Sequence, residues 1–432
     1  MSIQIYLEPV QEQSRFVPLG VVGYCLTRSG LLDPLWSELK LTMKQYDHSA
    51  VDKLQDVLVA IMAGCHSLSQ VETRLRPEPA LAEAWQRKRF AEQSNLSRTL
   101  DRLQAEQIEQ LRVGHVKLLR QHSQLYHHDW STPVILDIDP TSLLASKHAE
   151  GSRKGWVSGH RNRYCRHVIR FMVAGYHETL LSVAYPGNRH GYEYCKPALN
   201  QLLREWHWSP AQRRQIILRS DAEQGTDANV AYLLWLGFQV LMKAYSGRRT
   251  QAWVNRTDES LWQPDPNRKT RWVAPAPSQL RLGRHLDAYL LRWLDSKEAL
   301  RHATLLTTLP HTPFTQWALY DGRGACEIEI RSDKSGLQLT HRRKHSLDAQ
   351  EAWILLTDVA HNLLAWLRPW MLADSPFAAF GPQRLVSDLL TIPGQLFFEN
   401  GRLTKVALWE THPYAEDMML CLQKLLKTFD LH

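Results

Sequence analysis

The residues of this chain best spaced for chemistry lie between Tyr320 and Lys334, in the run YDGRGACEIEIRSDK. Wound as an α-helix at about 100° per residue, Tyr320, Arg323, Glu327 and Lys334 fall at roughly 0°, 300°, 340° and 320°, on one narrow face. On the same scale Glu329 lands near roughly 180° and points away, so it competes poorly for any role of Glu327. One acid is thus set among a phenol, a guanidinium and an ammonium, three groups that bind phosphate. An ordinary solvated helix face, laced with Arg-Glu and Glu-Lys pairs, would use the same spacing. What separates the two readings is whether further acids arrive from elsewhere in the fold.

Two strands are placed to bring them. Pro133–Thr141, PVILDIDPT, reads as a buried strand with Ile135, Asp137 and Asp139 on one face and Val134, Leu136 and Ile138 on the other. An acid at the C-terminal end of a central strand is where open α/β sheets put their chemistry. Asp139 and Asp137 are both candidates there, Asp137 one step earlier on that face and open to a second reading as a polar residue satisfied in the core. Gln215–Asp221 reads as another strand ending in an acid, Asp221. Glu223 and Asp227, just beyond it, read as solvent-side or helix-start carboxylates.

Between these acids the pattern predicts a basic loop over Ser152–Arg163 and strands over Cys165–Ala174 and Thr179–Ala184, joined through Gly175. A helix over Tyr194–Trp206 precedes the Asp221 strand. A second helix runs through Leu234, and a fifth strand covers Phe238–Ala244. The order β-β-β-α-β is that of an α/β, ribonuclease H-like core, a mixed five-stranded sheet with flanking helices.

With those strands in place, Y-x2-R-x3-E-x6-K from Tyr320 to Lys334 resembles the signature of a large group of bacterial insertion-sequence transposases of the DDE type, the hairpin-forming, cut-and-paste group. Asp139-Pro-Thr141 resembles the group's D-x-[ST], and Arg219-Ser-Asp221 with Gly225 resembles the ending that carries its second acid. The resemblance runs from about Pro133 to Trp370 and covers the N-terminal part loosely. It implies Asp139, Asp221 and Glu327 as the catalytic, metal-binding acids and leaves Asp137 as the reserve for metal. Such a trio would hold two divalent ions, Mg²⁺ with Mn²⁺ as a substitute, about 3.5 to 4 Å apart. It implies Tyr320, Arg323 and Lys334 on the DNA phosphate beside the cut, and a β-rich insertion between the second Asp and the Glu. One insertion tryptophan, Trp253, Trp262 or Trp272, would take up a base flipped during hairpin formation. The partners implied are double-stranded DNA, as terminal inverted repeats and target, and a second copy in a DNA-bound homodimer. A domesticated relative that binds DNA without cutting it, and a ribonuclease H-like nuclease, remain alternatives.

The expected layout is a helical DNA-binding domain over 1–130, the first part of the core over 131–244 and the insertion over 245–304. The signature and packing helices follow over 305–372, then a hairpin and helix over 373–432 suited to dimerisation. In the first domain, the helix after Ser94 or Asn95 should turn Leu96, Leu100 and Leu103 inward. The helix over Leu347–Leu372 should pack behind the active site. The chain has 432 residues, and 52 Lys+Arg against 44 Asp+Glu leave a net charge of +8, which favours a polyanionic partner. Six scattered cysteines form no CxxC pair or zinc-like spacing. No signal peptide and no apolar run of roughly 18 residues are found, so no membrane is expected. A cytoplasmic, nucleoid-associated location follows.

Overall fold

A computed structural model of the chain describes residues 13–43, 47–157 and 159–431. The chain divides into two compact units: the described residues up to Ser123 together with those from Arg331 onward, and Gln124–Ile330. The chain therefore leaves the first unit, builds the second, and returns.

The first unit is mainly helical, with Val17–Arg28, Ala50–Met62, Gln93–Arg102, Ala105–His122, Leu347–Leu367 and Ala415–Thr428 as its longer helices. Ala50–Met62 starts where its sequence dictates. The Ser49 hydroxyl accepts from the Asp52 amide at 3.0 Å and the Asp52 carboxylate accepts from the Ser49 amide at 2.8 Å, which satisfies two otherwise orphaned N–H groups. On Gln93–Arg102, Leu96 and Leu100 are buried as expected, although Glu92 and not Ser94 or Asn95 stands at the N-cap. Leu347–Leu367 is buried on nearly every side. A helix apolar all round belongs in the middle of a core, and here that core is the helical unit's own: its partners include Ala50–Met62 and Ala105–His122. His361 on this helix also meets Asp333 of the signature helix at 2.9 Å, with both side chains buried. At the C-terminal end, Gly394–Glu399 and Arg402–Leu408 pair as the expected hairpin. Asn400 at φ 53° and Gly401 at φ 72° make the turn, a left-handed pair that Asn-Gly adopts with little strain. Among the described residues, no helix is long and apolar enough to cross a membrane.

The second unit holds the sheet. Its strands are β1 (Val134–Leu144), β2 (Arg153–Val157), β3 (His160–Val173), β4 (Glu178–Pro186), β5 (Ile216–Ser220), β6 (Gln239–Lys243), β7 (Gln263–Asp265), β8 (Arg268–Pro275), β9 (Asp287–Leu294) and β10 (Leu300–Thr307). Its helices include α1 (Gly191–Trp206), α2 (Asp227–Trp235), α3 (Gly247–Val254), α4 (Pro313–Asp321) and the start of α5 (Arg323–Ser335). Among the described residues the strands form one ten-stranded sheet. Its central order is β4-β3-β1-β5-β6, with β1, β5 and β6 mutually parallel and β3 antiparallel to both of its neighbours. β2 shares the outer edge of the long β3 with β4.

Three expectations change. β1 does not stop at Thr141: its parallel pairing with β5 ends at Ile138, but its antiparallel pairing with β3 continues to Leu144. The basic stretch after Ser152 is a hairpin, β2 with the start of β3, and not a loop. The sheet does not stop at the five strands expected. β10 pairs antiparallel with β6, and β9, β8 and β7 follow outward, so the insertion lengthens the same sheet. The consequence lies beneath α4: Val273 and Leu291 from the insertion and Leu305 from β10 join Ile217 and Leu241 from β5 and β6 in one cluster that buries Trp317 and Tyr320. The insertion helps to floor the helix that carries the first signature residue.

Candidate active site

Register places the two aspartates together. β1 and β5 run parallel with Val134 opposite Ile216 and Ile138 opposite Ser220, so the next step along both strands sets Asp139 beside Asp221. β5 and β6 run parallel with Ile217 opposite Gln239, and the same step brings Asp221 beside Lys243. At roughly 4.8 Å between neighbouring strands, Asp139, Asp221 and Lys243 form a row across three strand ends. The turn after Asp221 is held by backbone. The Glu223 amide donates to Asp221 Oδ1 at 2.9 Å, and Tyr245 N–H donates to the Gly225 carbonyl at 2.9 Å. A Cβ on Gly225 would sit 1.8 Å from the Lys243 carbonyl oxygen, so only glycine allows this turn to lie against β6.

Glu327 comes from the signature helix. Arg323 Nη1 donates to Asp139 Oδ1 at 3.0 Å, and its Nη2 donates to Glu327 Oε1. The guanidinium thus ties the first aspartate to the glutamate. Burial works against the Arg323 charge, yet Tyr320, Glu327, Asp139 and Asp221 together hold it above its ordinary range. Among the described residues no three His, Cys, Asp or Glu side chains are set to hold a metal as they stand. Between Asp139 and Glu327 the cation present is Arg323.

Signature geometry differs from a single helix. α4 ends at Asp321 and α5 begins at Arg323, so Tyr320 belongs to the preceding helix and its projected angle does not apply. Tyr320 is nonetheless within reach of Arg323. Its ring is 5% exposed, and burial is the main cause that pushes its hydroxyl up to about 12, against the pull of Arg323. The break at Gly322 has a steric reason, because a Cβ there would sit 2.8 Å from Arg219 Nη1. Arg219 uses that room to donate from Nη1 to the Leu319 carbonyl at 2.5 Å. Its Nε and Nη2 grip Asp137 at 2.6 and 2.8 Å. Asp137 is fully buried; burial lifts its carboxyl and Arg219 pulls the other way. The reserve metal candidate is therefore committed to an ion pair that pins the C-terminal turn of α4 to the sheet. Glu329 pairs with His177, apart from the Arg323 contacts, as the helix phase requires. Lys334, on the last turn of α5, belongs to the helical unit.

Sequence reasoning missed Lys243. Lys243 Nζ lies 5.1 Å from the ring centre of Trp293 and 4.9 Å from that of Tyr320, and burial lowers its pKa. Its signal was available: it ends the third parallel strand as Asp139 and Asp221 mark the ends of the other two. Glu223 is half-buried and accepts from the Gly191 amide at 2.7 Å, at the start of α1. Burial chiefly, with Asp221 nearby, raises its pKa. Asp227 does begin α2, gripped by Arg249 at 2.6 and 2.8 Å.

Two of the three proposed stacking tryptophans lie in the insertion's core. Trp253 and Trp262 are each 6% exposed in a cluster with Ala274 and Leu290, and the half-buried Trp272 packs against it. The surrounding arginines are engaged as well: Arg292 lies over Trp262 and pairs with Glu259, while Arg268 and Arg271 pair with Asp321. Trp253 and Trp262 have no free face for a base. Trp262→Ala should lower unfolding stability by about 3 to 5 kcal/mol, the usual cost of emptying a buried tryptophan site, as read by denaturant titration. The half-buried Trp293 meets Lys243 with its ring and packs against the cluster that holds Tyr320.

The family model described as transposase DDE domain group 1 matches residues 27–429. The chain belongs to that family. It is a DNA transposase, an enzyme of a class that generally uses divalent metal ions. No curated protein matches the sequence. Among solved structures, a piggyBac transposase in a synaptic complex with hairpin DNA aligns with a TM-score of 0.44 at 10% identity, over 83% of this chain and 77% of that one.

Proposed function

We propose that this transposase cuts DNA at the terminal inverted repeats of its own insertion sequence and joins the freed ends to a target. Asp139, Asp221 and Glu327 would be its catalytic acids. The observation that carries the reading is the convergence on Arg323: one guanidinium holds Asp139 and Glu327, and Asp221 stands one strand away. The central strand order and directions support a ribonuclease H-like core.

The residues fit a divalent ion on two counts. Their donors are all carboxylate oxygens, the set that Mg²⁺ and Mn²⁺ prefer, and a cation already lies between two of them. Bound there, two such ions would supply charge neutralisation at the phosphate and activate the attacking hydroxyl. Sharing an ion between Asp139 and Glu327 requires Arg323 to release them, and a DNA phosphate offers its planar fork an equivalent bidentate partner. Tyr320, kept protonated, donates a hydrogen bond alongside. Lys334 is assigned to the same DNA end from its place in the Y-x2-R-x3-E-x6-K signature, which supports membership of the hairpin-forming group. Trp293, half-buried beside Tyr320, takes the place of the buried Trp253 and Trp262 as the residue on which a displaced base stacks. Action as a DNA-bound homodimer and association with the nucleoid belong to the same reading.

Metal-dependent nicking tests it. With Mg²⁺ or Mn²⁺ the protein should nick a duplex carrying the element's own ends and leave a duplex without them intact; equal nicking of both, or nicking unaffected by chelator, would point to a general nuclease. Within that assay, Trp293→Ala should slow formation of the hairpin product by roughly tenfold, the scale of one lost base–aromatic stack, and leave the first nick unchanged. An unaltered ratio of nick to hairpin would return Trp293 to a packing role.

A further inference from the structure

The hairpin of β2 with the start of β3 takes no part in the contacts described above. Arg153 stands opposite Cys165, Lys154 opposite Tyr164, Gly155 opposite Arg163 and Val157 opposite His160. Arg153, Lys154, Trp156, His160, Arg161 and Arg163 are all exposed, Trp156 at 54%. The Arg161 guanidinium lies 5.6 Å from the Trp156 ring centre, and Lys154 Nζ lies 5.9 Å from that of Tyr164. The sequence has no Asp or Glu from Gly151 to His177. Among the described residues, Arg153, Lys154, Arg161 and Arg163 have no acidic partner. Four cations crowded on one hairpin repel one another unless a polyanion lies against them. An exposed indole backed by a guanidinium is a surface on which an unpaired base stacks.

The base of the hairpin is closely packed. A Cβ on Gly155 would sit 1.9 Å from the Gly187 carbonyl oxygen, and one on Gly187 would sit 2.2 Å from that of Cys165, so the backbones touch where both residues are glycine. The Ser142 hydroxyl donates to the Trp156 carbonyl at 3.1 Å and meets His167 Nδ1 at 3.0 Å. Ser142 is on β1, past Asp139, at a rise of about 3.3 Å per residue, so this anchor lies on the order of 10 Å from the first catalytic acid. A preorganised arm loses less entropy on binding than a loop that must first be ordered.

We propose that the hairpin is a DNA-gripping arm beside the site of cutting. Arg153, Lys154, Arg161 and Arg163 lie on backbone phosphates, and Trp156 receives an unpaired base. The proposal rests on the transposase reading and adds to it a contact surface outside the signature.

Its test is the salt dependence of binding by the full chain without divalent metal. The probes are a short blunt duplex of arbitrary sequence and the same duplex with a single-stranded overhang. Each phosphate contact contributes about 0.9 to the slope of log K against log salt. The combined variant R153A/K154A/R161A/R163A should therefore flatten the slope by up to about 3.6, and each single variant by a proportionate part. Trp156→Ala should keep the slope on blunt duplex and bind the overhang roughly tenfold more weakly. An unchanged slope in a combined variant that melts like the wild type overturns the arm while leaving the transposase reading in place, and equal weakening on both probes by Trp156→Ala overturns the stacking role. Failure of the wild type to bind either probe would count against both.

Discussion

Glu327→Gln should reduce DNA cleavage by on the order of 10³-fold or more while leaving DNA binding largely intact. The substitution keeps the size and hydrogen-bonding capacity of the side chain and removes the charge. Loss of a charged metal ligand costs several kcal/mol of transition-state stabilisation, and each 1.36 kcal/mol is about tenfold in rate. Binding survives because Arg323, released from one carboxylate, remains available to phosphate. Glu329→Gln is the control: Glu329 engages His177 and not Arg323, so cleavage should change little. Cleavage by both variants on DNA carrying the element's ends, set beside their affinities for that DNA, checks the assignment. Comparable loss in the two would mean that the helix presents its acids differently.

The second large effect is expected beneath the site. Arg219→Leu removes the partner of a fully buried carboxylate and releases the α4 carbonyl that Arg219 holds. Breaking a buried ion pair from one side costs about 3 to 5 kcal/mol, because the remaining group is left desolvated and uncompensated. Denaturant unfolding should show that loss, and cleavage should fall further than stability accounts for, since Tyr320 and Arg323 flank the released turn. Replacing both Asp137 and Arg219 by apolar residues of similar volume should restore much of the stability, as paired apolar replacements often do, but not the cleavage. Recovery of cleavage in the double variant would show that the pair contributes packing alone.

The contrast between Asp137 and Asp139 shows where sequence reasoning stops. Alternation along a strand puts both on one face and cannot choose between them. What separates them is β5, which presents Arg219 opposite Asp137 and sets Asp221 at the level of Asp139. Cross-strand pairing of this kind joins residues 82 positions apart, beyond any local window. Tryptophan interleaved with arginine likewise reads as a nucleic-acid surface or as an insertion core. The structure decides for the core at Trp253 and Trp262, because the insertion continues the sheet, Arg292 pairs with Glu259 within it and Arg271 pairs with Asp321 on α4.

What the sequence by itself determined is what short-range geometry controls. Arg323 and Glu327, four residues apart on a helix, must be neighbours. Runs of β-branched and aliphatic residues ending at Asp139, Asp221 and Lys243 must be strands, and Asn400-Gly401 must turn. The tertiary structure alone decided which of those strands lie side by side, that Gly322 makes room for Arg219, that Leu347–Leu367 is the core of the helical unit, and that the basic stretch after Ser152 is a hairpin docked through Gly155 and Gly187. Each of these depends on what a residue meets from a distant part of the chain, and burial, pairing and close backbone approach exist only once those parts have come together.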